Sequence, residues 1–130
     1  MKGMKRVIVA VQNELVSEAI LSALKKRGMF AEKSPSGESQ SVVSLCKSLF
    51  ADVLVTDVVR FGSGTFDNRA GTVNAVKRGN PKIKICFVCD NVSDGELSVK
   101  VANAKEVGLI DAFFYQSVPS DYIADVISTM

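Results

Sequence analysis

Ala51-Asp52-Val53-Leu54-Val55-Thr56-Asp57 is the stretch whose reading decides the fold. Four uncharged, aliphatic or β-branched residues run from Val53 to Thr56, with a carboxylate on either side. A short apolar run bounded by polar residues suits a strand buried on both faces, as in a parallel sheet. Asp57 then lands at the carboxyl end of that strand, the edge where open α/β sheets place their chemistry.

Working outward, Lys5–Val11 repeats the continuous apolar pattern and reads as the first strand. Asn13 follows as an N-cap, and Val16, Ala19, Ile20, Ala23 and Leu24 recur at helical spacing. Lys25-Lys26-Arg27 suits the negative end of that helix, and Gly28 stops it. Met29–Lys33 is a short second strand, closed by Ser34-Pro35-Ser36-Gly37. The second helix is expected from Glu38 to Leu49, with Val42, Val43, Leu45, Cys46 and Leu49 inward. After the central strand, Val58–Phe66 with its Gly62-Ser63-Gly64 reads as loop. Ala70, Val73, Ala75 and Val76 mark a third helix, closed by Arg78-Gly79 and Asn80-Pro81. Ile83–Cys89 is the fourth strand, and Ser93 with Glu96 forms a capping box before a helix ending at Gly108. Ile110–Tyr115 is the fifth strand, and Pro119 suits the first position of a last helix carrying Tyr122, Ile123, Val126 and Ile127. Strict alternation of strands and helices over 130 residues predicts one domain of the α/β class: doubly wound, a five-stranded parallel sheet with helices on both faces.

Composition removes several function classes. A net charge of +2 makes no electrostatic case for nucleic acid or an anionic membrane. No apolar stretch approaches the roughly 20 residues of a membrane span. The basic start is followed only by Val7–Val11, too short for a signal peptide, so a cytoplasmic location is expected. Three cysteines, an odd number, agree with a reducing compartment. The absence of histidine excludes imidazole catalysis and most zinc sites. Cys86-Phe87-Val88-Cys89 has redox-motif spacing, but inside a strand residues three apart point to opposite faces, so buried core thiols are expected. No glycine-rich phosphate loop follows the first strand.

Three stretches together resemble the receiver domain of two-component response regulators, a flavodoxin-like (βα)5 fold. Val11-Gln12-Asn13-Glu14-Leu15-Val16-Ser17-Glu18 resembles the receiver segment that begins with two aspartates and enters the first helix. Ala51–Asp57 resembles the phosphoacceptor strand, and Val118-Pro119-Ser120-Asp121-Tyr122 the entry to the last helix. The resemblance implies phosphoryl transfer from a histidine kinase to Asp57. It also implies a magnesium ion held by carboxylates, a lysine on the phosphoryl oxygens and a hydroxyl that reads the modified state.

At most of those positions the chain departs from the pattern. The acidic places fall on Val11 and Gln12, or on Gln12 and Asn13 with the alignment moved by one. The hydroxyl place falls on Cys89 and the lysine place on Tyr115, or on Gln116 with one residue inserted. Val59-Arg60 replaces a Met-Pro pair after Asp57. Glu14 and Asp90 lie at the same edge, either rebuilding a metal site with Asp57 or serving as helix-entry acids. The expectation is a pseudo-receiver: Asp57 as phosphoacceptor without its machinery, no cofactor unless magnesium returns through a rebuilt site, and no enzymatic activity. Its implied partners are a histidine kinase or an output protein, or a second copy through the helix 4–strand 5–helix 5 face, with no nucleic acid and no membrane. The chain ends in its last helix, so an output module is expected to lie elsewhere, on a partner or in a longer protein. The alternative is a flavodoxin-like domain that binds a small molecule or nucleotide without catalysis, carried by fold analogy.

Overall fold

The computed structural model describes residues 4–59, 65–89 and 95–130. Strands β1 (Arg6–Ala10), β2 (Phe30–Lys33), β3 (Val53–Val58), β4 (Lys84–Cys89) and β5 (Ala112–Tyr115) alternate with five helices. These are α1 (Glu14–Lys26), α2 (Ser39–Ser48), α3 (Phe66–Gly79), α4 (Gly95–Glu106) and α5 (Ser120–Ser128). All strand pairs are parallel, in the order β2-β1-β3-β4-β5. The expected doubly wound α/β sheet is what the chain forms.

Side-chain alternation assigns the helices to faces. Val7 and Val9 of β1, Val53 and Val55 of β3, and Cys86 and Val88 of β4 pack with Ile20, Leu24, Ile123 and Ile127 of α1 and α5. Ile8, Leu54, Ile85 and Phe87 point the other way, to Val42, Val73, Val76 and Val101 of α2, α3 and α4. Every residue of β3 is buried, because this strand has neighbours on both edges and helices on both faces. The order of strands reverses between β1 and β3, and that opens a crevice at their carboxyl ends.

Local chemistry sets the element ends. Asn13 caps α1 by accepting from the Val16 amide at 3.2 Å, and Gly28 exits that helix at φ +81°. Phe50 leaves α2 at φ +53°, a costly conformation for a bulky side chain, and stays 76 % exposed. Lys5 donates through Nζ to the carbonyls of Ile127 (3.0 Å), Ser128 (3.4 Å) and Met130 (2.6 Å), meeting orphan acceptors at the end of α5.

Several boundaries differ from the sequence reading. Val58 belongs to β3, and α3 begins at Phe66, although the apolar pattern first shows at Ala70. The first turn of α3 hides its inward face behind polar residues: Arg69 is buried, and Phe66 anchors the turn edge-on to Phe87 at 6.2 Å. Pro119 is the N-cap of α5, with extended ψ of 139°, and the helix starts one residue later. Met29 bonds back to Leu24 of α1, and Ile110 back to Ala104 of α4, so β2 and β5 begin after them. Gly62-Ser63-Gly64, Arg60, Asp90 and the capping box at Ser93 lie outside the described residues.

The three thiols are core groups. Cys86 faces the α1/α5 layer, while Cys46 and Cys89 face the other, so the C-x-x-C pair points to opposite sides of the sheet. Burial pushes Cys46 and Cys86 up to about 12 and Cys89 up to about 11. Above about pH 9 the unfolded chain releases thiol protons that the folded chain keeps, so stability falls as pH rises toward 11. The unfolding free energy from urea titration is expected to drop over that window, by up to about 1.4 kcal/mol per pH unit for each thiol. Cys89→Val should flatten the slope by one thiol's share; an unchanged slope would mean that this thiol titrates alike in both states.

Candidate functional site

The carboxyl ends of β1 and β3 are held in register by Val9 opposite Val55 and Ala10 opposite Thr56. Thr56 fastens the edge by donating its hydroxyl to the Ala10 carbonyl at 3.2 Å. The chain leaving β1 therefore passes directly beside Asp57. The Gln12 backbone amide donates to Asp57 Oδ2 at 3.0 Å.

Arg69 takes the other oxygen. Its Nη2 donates to Asp57 Oδ1 at 2.7 Å, a charge-assisted bond, and its Nε donates to the Asp57 carbonyl at 2.8 Å. Its Nη1 reaches across to the Gly37 carbonyl at 2.8 Å. The guanidinium thus joins three segments: the end of β3, the first turn of α3 and the loop between β2 and α2. Both side chains are almost wholly out of water, Asp57 at 2 % and Arg69 at 2 % exposure. Two charges survive such burial only when each meets the other and the remaining donors are also satisfied.

The loop closes tightly over the pair. A Cβ at Gly37 would stand 3.1 Å from Gln12 Nε2 and 3.5 Å from Arg69 Nη2, so the absence of a side chain permits this approach. Ser34 stiffens the loop by donating to the Ser36 carbonyl at 2.6 Å, and Ser36 Oγ accepts the Glu38 amide at 3.0 Å. A cleft of about 200 Å³ lies outside this lid, lined by Gln12, Glu14, Lys33 and the loop; Asp57 and Arg69 do not line it.

The other residues singled out from sequence take varied places. Val11 is buried in the α1/α5 core. Gln12 touches Asp57 through its backbone, and Asn13 serves as the α1 cap. Glu14 pairs with Lys33 at the surface. Cys89 ends β4 as a buried core thiol, and Tyr115 ends β5, edge-on to Phe113 at 6.2 Å. The Gln116 amide bonds to the Cys89 carbonyl at 3.0 Å. Asp90 lies outside the described residues.

Magnesium seeks oxygen ligands in open octahedral array, including a carboxylate or two. Here both Asp57 oxygens already accept hydrogen bonds, and a guanidinium stands beside one of them. Among the described residues no three acidic or thiol side chains cluster as a metal site. The described residues do not fit the ion.

Arg69 went unread in the sequence. The signal was present: Arg69, Thr72, Val73 and Val76 form the buried stripe of α3, at the i, i+3, i+4, i+7 spacing of an inward face.

No family model matches the chain, and no curated protein matches it in sequence. Solved structures do match in shape. A response regulator from Thermotoga maritima aligns with a TM-score of 0.75 at 13 % identity, covering 98 % of this chain and 97 % of that one. A chemotaxis protein of Vibrio cholerae gives 0.74 at 14 % identity, with 98 % of each chain covered. A response regulator receiver protein from Pseudomonas putida gives 0.73 at 17 % identity over 100 % of both. At these identities the shared property is the fold, and it is the receiver fold.

The pair is expected to behave as a unit. Arg69→Met, which strands a buried carboxylate, should cost about 3–5 kcal/mol in urea denaturation. Combining it with Asp57→Asn should cost less than the sum of the two single changes by about 1–3 kcal/mol. Additive losses would show that the two groups are energetically independent.

Proposed function

We propose that this chain is a receiver-like signalling module of a two-component or phosphorelay system that works through protein contacts, with weak or no phosphorylation. The observation that carries this reading is the state of Asp57. In this reading it takes the phosphoacceptor place, and it is buried with both its oxygens engaged, by Arg69 and by the Gln12 amide. An attacking carboxylate needs a free lone pair and an approach path of about 3–3.5 Å to phosphorus. Transfer also relies on electrostatic positioning by groups that Val11, Gln12, Cys89 and Tyr115 do not supply.

The partners in this reading are a histidine kinase or an output protein, met in the cytoplasm, and the chain itself is not an enzyme. Exposed apolar side chains favour contact through α4, β5 and α5: Val99, Val107, Tyr115 and Tyr122 all face solvent on those elements or beside them. A pairing of two copies would use the same surface. Among the described residues no helix is long and apolar enough to cross a membrane. The small-molecule alternative has less support, because no glycine-rich phosphate loop follows β1 and the cleft outside the Ser34–Gly37 loop holds only about 200 Å³.

Incubation with acetyl phosphate and magnesium, read by intact mass, tests the proposal. The expected result is no stoichiometric phosphoryl adduct under conditions that fully modify an ordinary receiver domain run alongside. A stoichiometric adduct lost in Asp57→Asn would return the protein to the ordinary phosphorelay class.

A further inference from the structure

We infer that Arg69 is the resident cation of the Asp57 site and a latch on the lid above it, so that the domain holds one closed state without a divalent ion. This rests on the receiver-like reading above and specifies how the site is regulated. Three observations converge on it. The guanidinium neutralises Asp57 at 2.7 Å, inside a pocket that excludes water from both groups. The same group spends a second nitrogen on the Asp57 carbonyl and a third on Gly37, so neutralising the charge and closing the lid are one act. Gly37 lets the lid come near enough for that bond, with Gln12 and Arg69 already filling the space a side chain would take.

The consequence is a site with its counter-charge built into the chain. A soluble ion binds and leaves with its concentration; a guanidinium anchored on α3 is present at all times. An incoming divalent cation would have to displace Arg69 from Asp57 and open the Ser34–Gly37 loop, leaving a buried arginine without its anion. Glu14, an acid at this edge of the sheet, is already paired with Lys33.

Amide hydrogen exchange, read residue by residue in the full chain, separates a latch from a general stabilising contact. Arg69→Lys keeps a cation but loses the planar fork. In that variant the amides of Gln12 and Glu38 are expected to exchange about tenfold faster or more beyond what the loss of global stability, measured by urea denaturation of the same variant, accounts for, while those within β1 and β3 change only by that loss, as when a segment opens by itself. Arg69→Gln should show the same local excess more strongly; if it does not fold, the lysine variant still decides. Acceleration at Gln12 and Glu38 no greater than in the sheet would overturn the latch, and the phosphorylation reading would still stand or fall on the mass measurement. In a second arm, magnesium chloride is titrated into the wild-type protein. The amide resonances of Gln12, Gly37 and Asp57 are expected to stay in place. Saturable shifts that vanish in Asp57→Asn would overturn the inference, and only an adduct with acetyl phosphate would take the proposed function with it.

Discussion

A carboxylate taken out of water needs a positive charge beside it, and at Asp57 that charge is Arg69. Much of the local architecture answers to this one demand. α3 has to begin early enough for its fourth residue to face inward, and Phe66 against Phe87 secures the turn that makes it so. The β2–α2 loop has to come close enough to offer the Gly37 carbonyl, which a larger residue would hinder. The chain leaving β1 has to bring the Gln12 amide to the second carboxylate oxygen. None of these segments is adjacent in sequence. The sheet brings them together because the strand order reverses between β1 and β3.

The ion pair also accounts for how Asp57, buried at the end of β3, is tolerated in this fold. In the family's arrangement, as the resemblance implies it, several carboxylates crowd one edge and a metal ion offsets their repulsion. Among the described residues that crowd is absent: Val11 lies in the core, Asn13 caps a helix and Glu14 pairs outward with Lys33. Among those residues Asp57 is answered by one base, Arg69.

How much of this was legible depended on whether a residue's environment is set locally. The strands were readable because β3 and β4 are buried on both faces and so appear as unbroken apolar runs. The α1 N-cap was readable because Asn13 acts on a backbone group three residues away. The opposed facing of Cys86 and Cys89 followed from the two-residue repeat of a strand. The centre of the site was half legible. Asp57 could be placed by its strand, and its likeness to a phosphoacceptor stretch pointed to its role. Arg69 escaped because its inward position depends on a long-range partner, and an arginine in a helix is ordinarily solvated. Its burial pattern with Thr72, Val73 and Val76 becomes visible only when a charged residue is allowed onto the inner stripe.

The ammonium of Lys5 has a meaning beyond capping a helix. By gripping the carbonyls of Ile127, Ser128 and Met130, it gathers the first strand and the last helix at one spot. That spot lies at the amino edge of the sheet, whereas Asp57 lies at the carboxyl edge, across the length of β3. Six residues of strand span roughly 20 Å. The molecule is therefore polarised, with the Asp57–Arg69 pair at one pole and the entry to β1 clamped to the end of α5 at the other. Loosening that clamp would leave the pair's own hydrogen bonds untouched, so the two poles can give way separately.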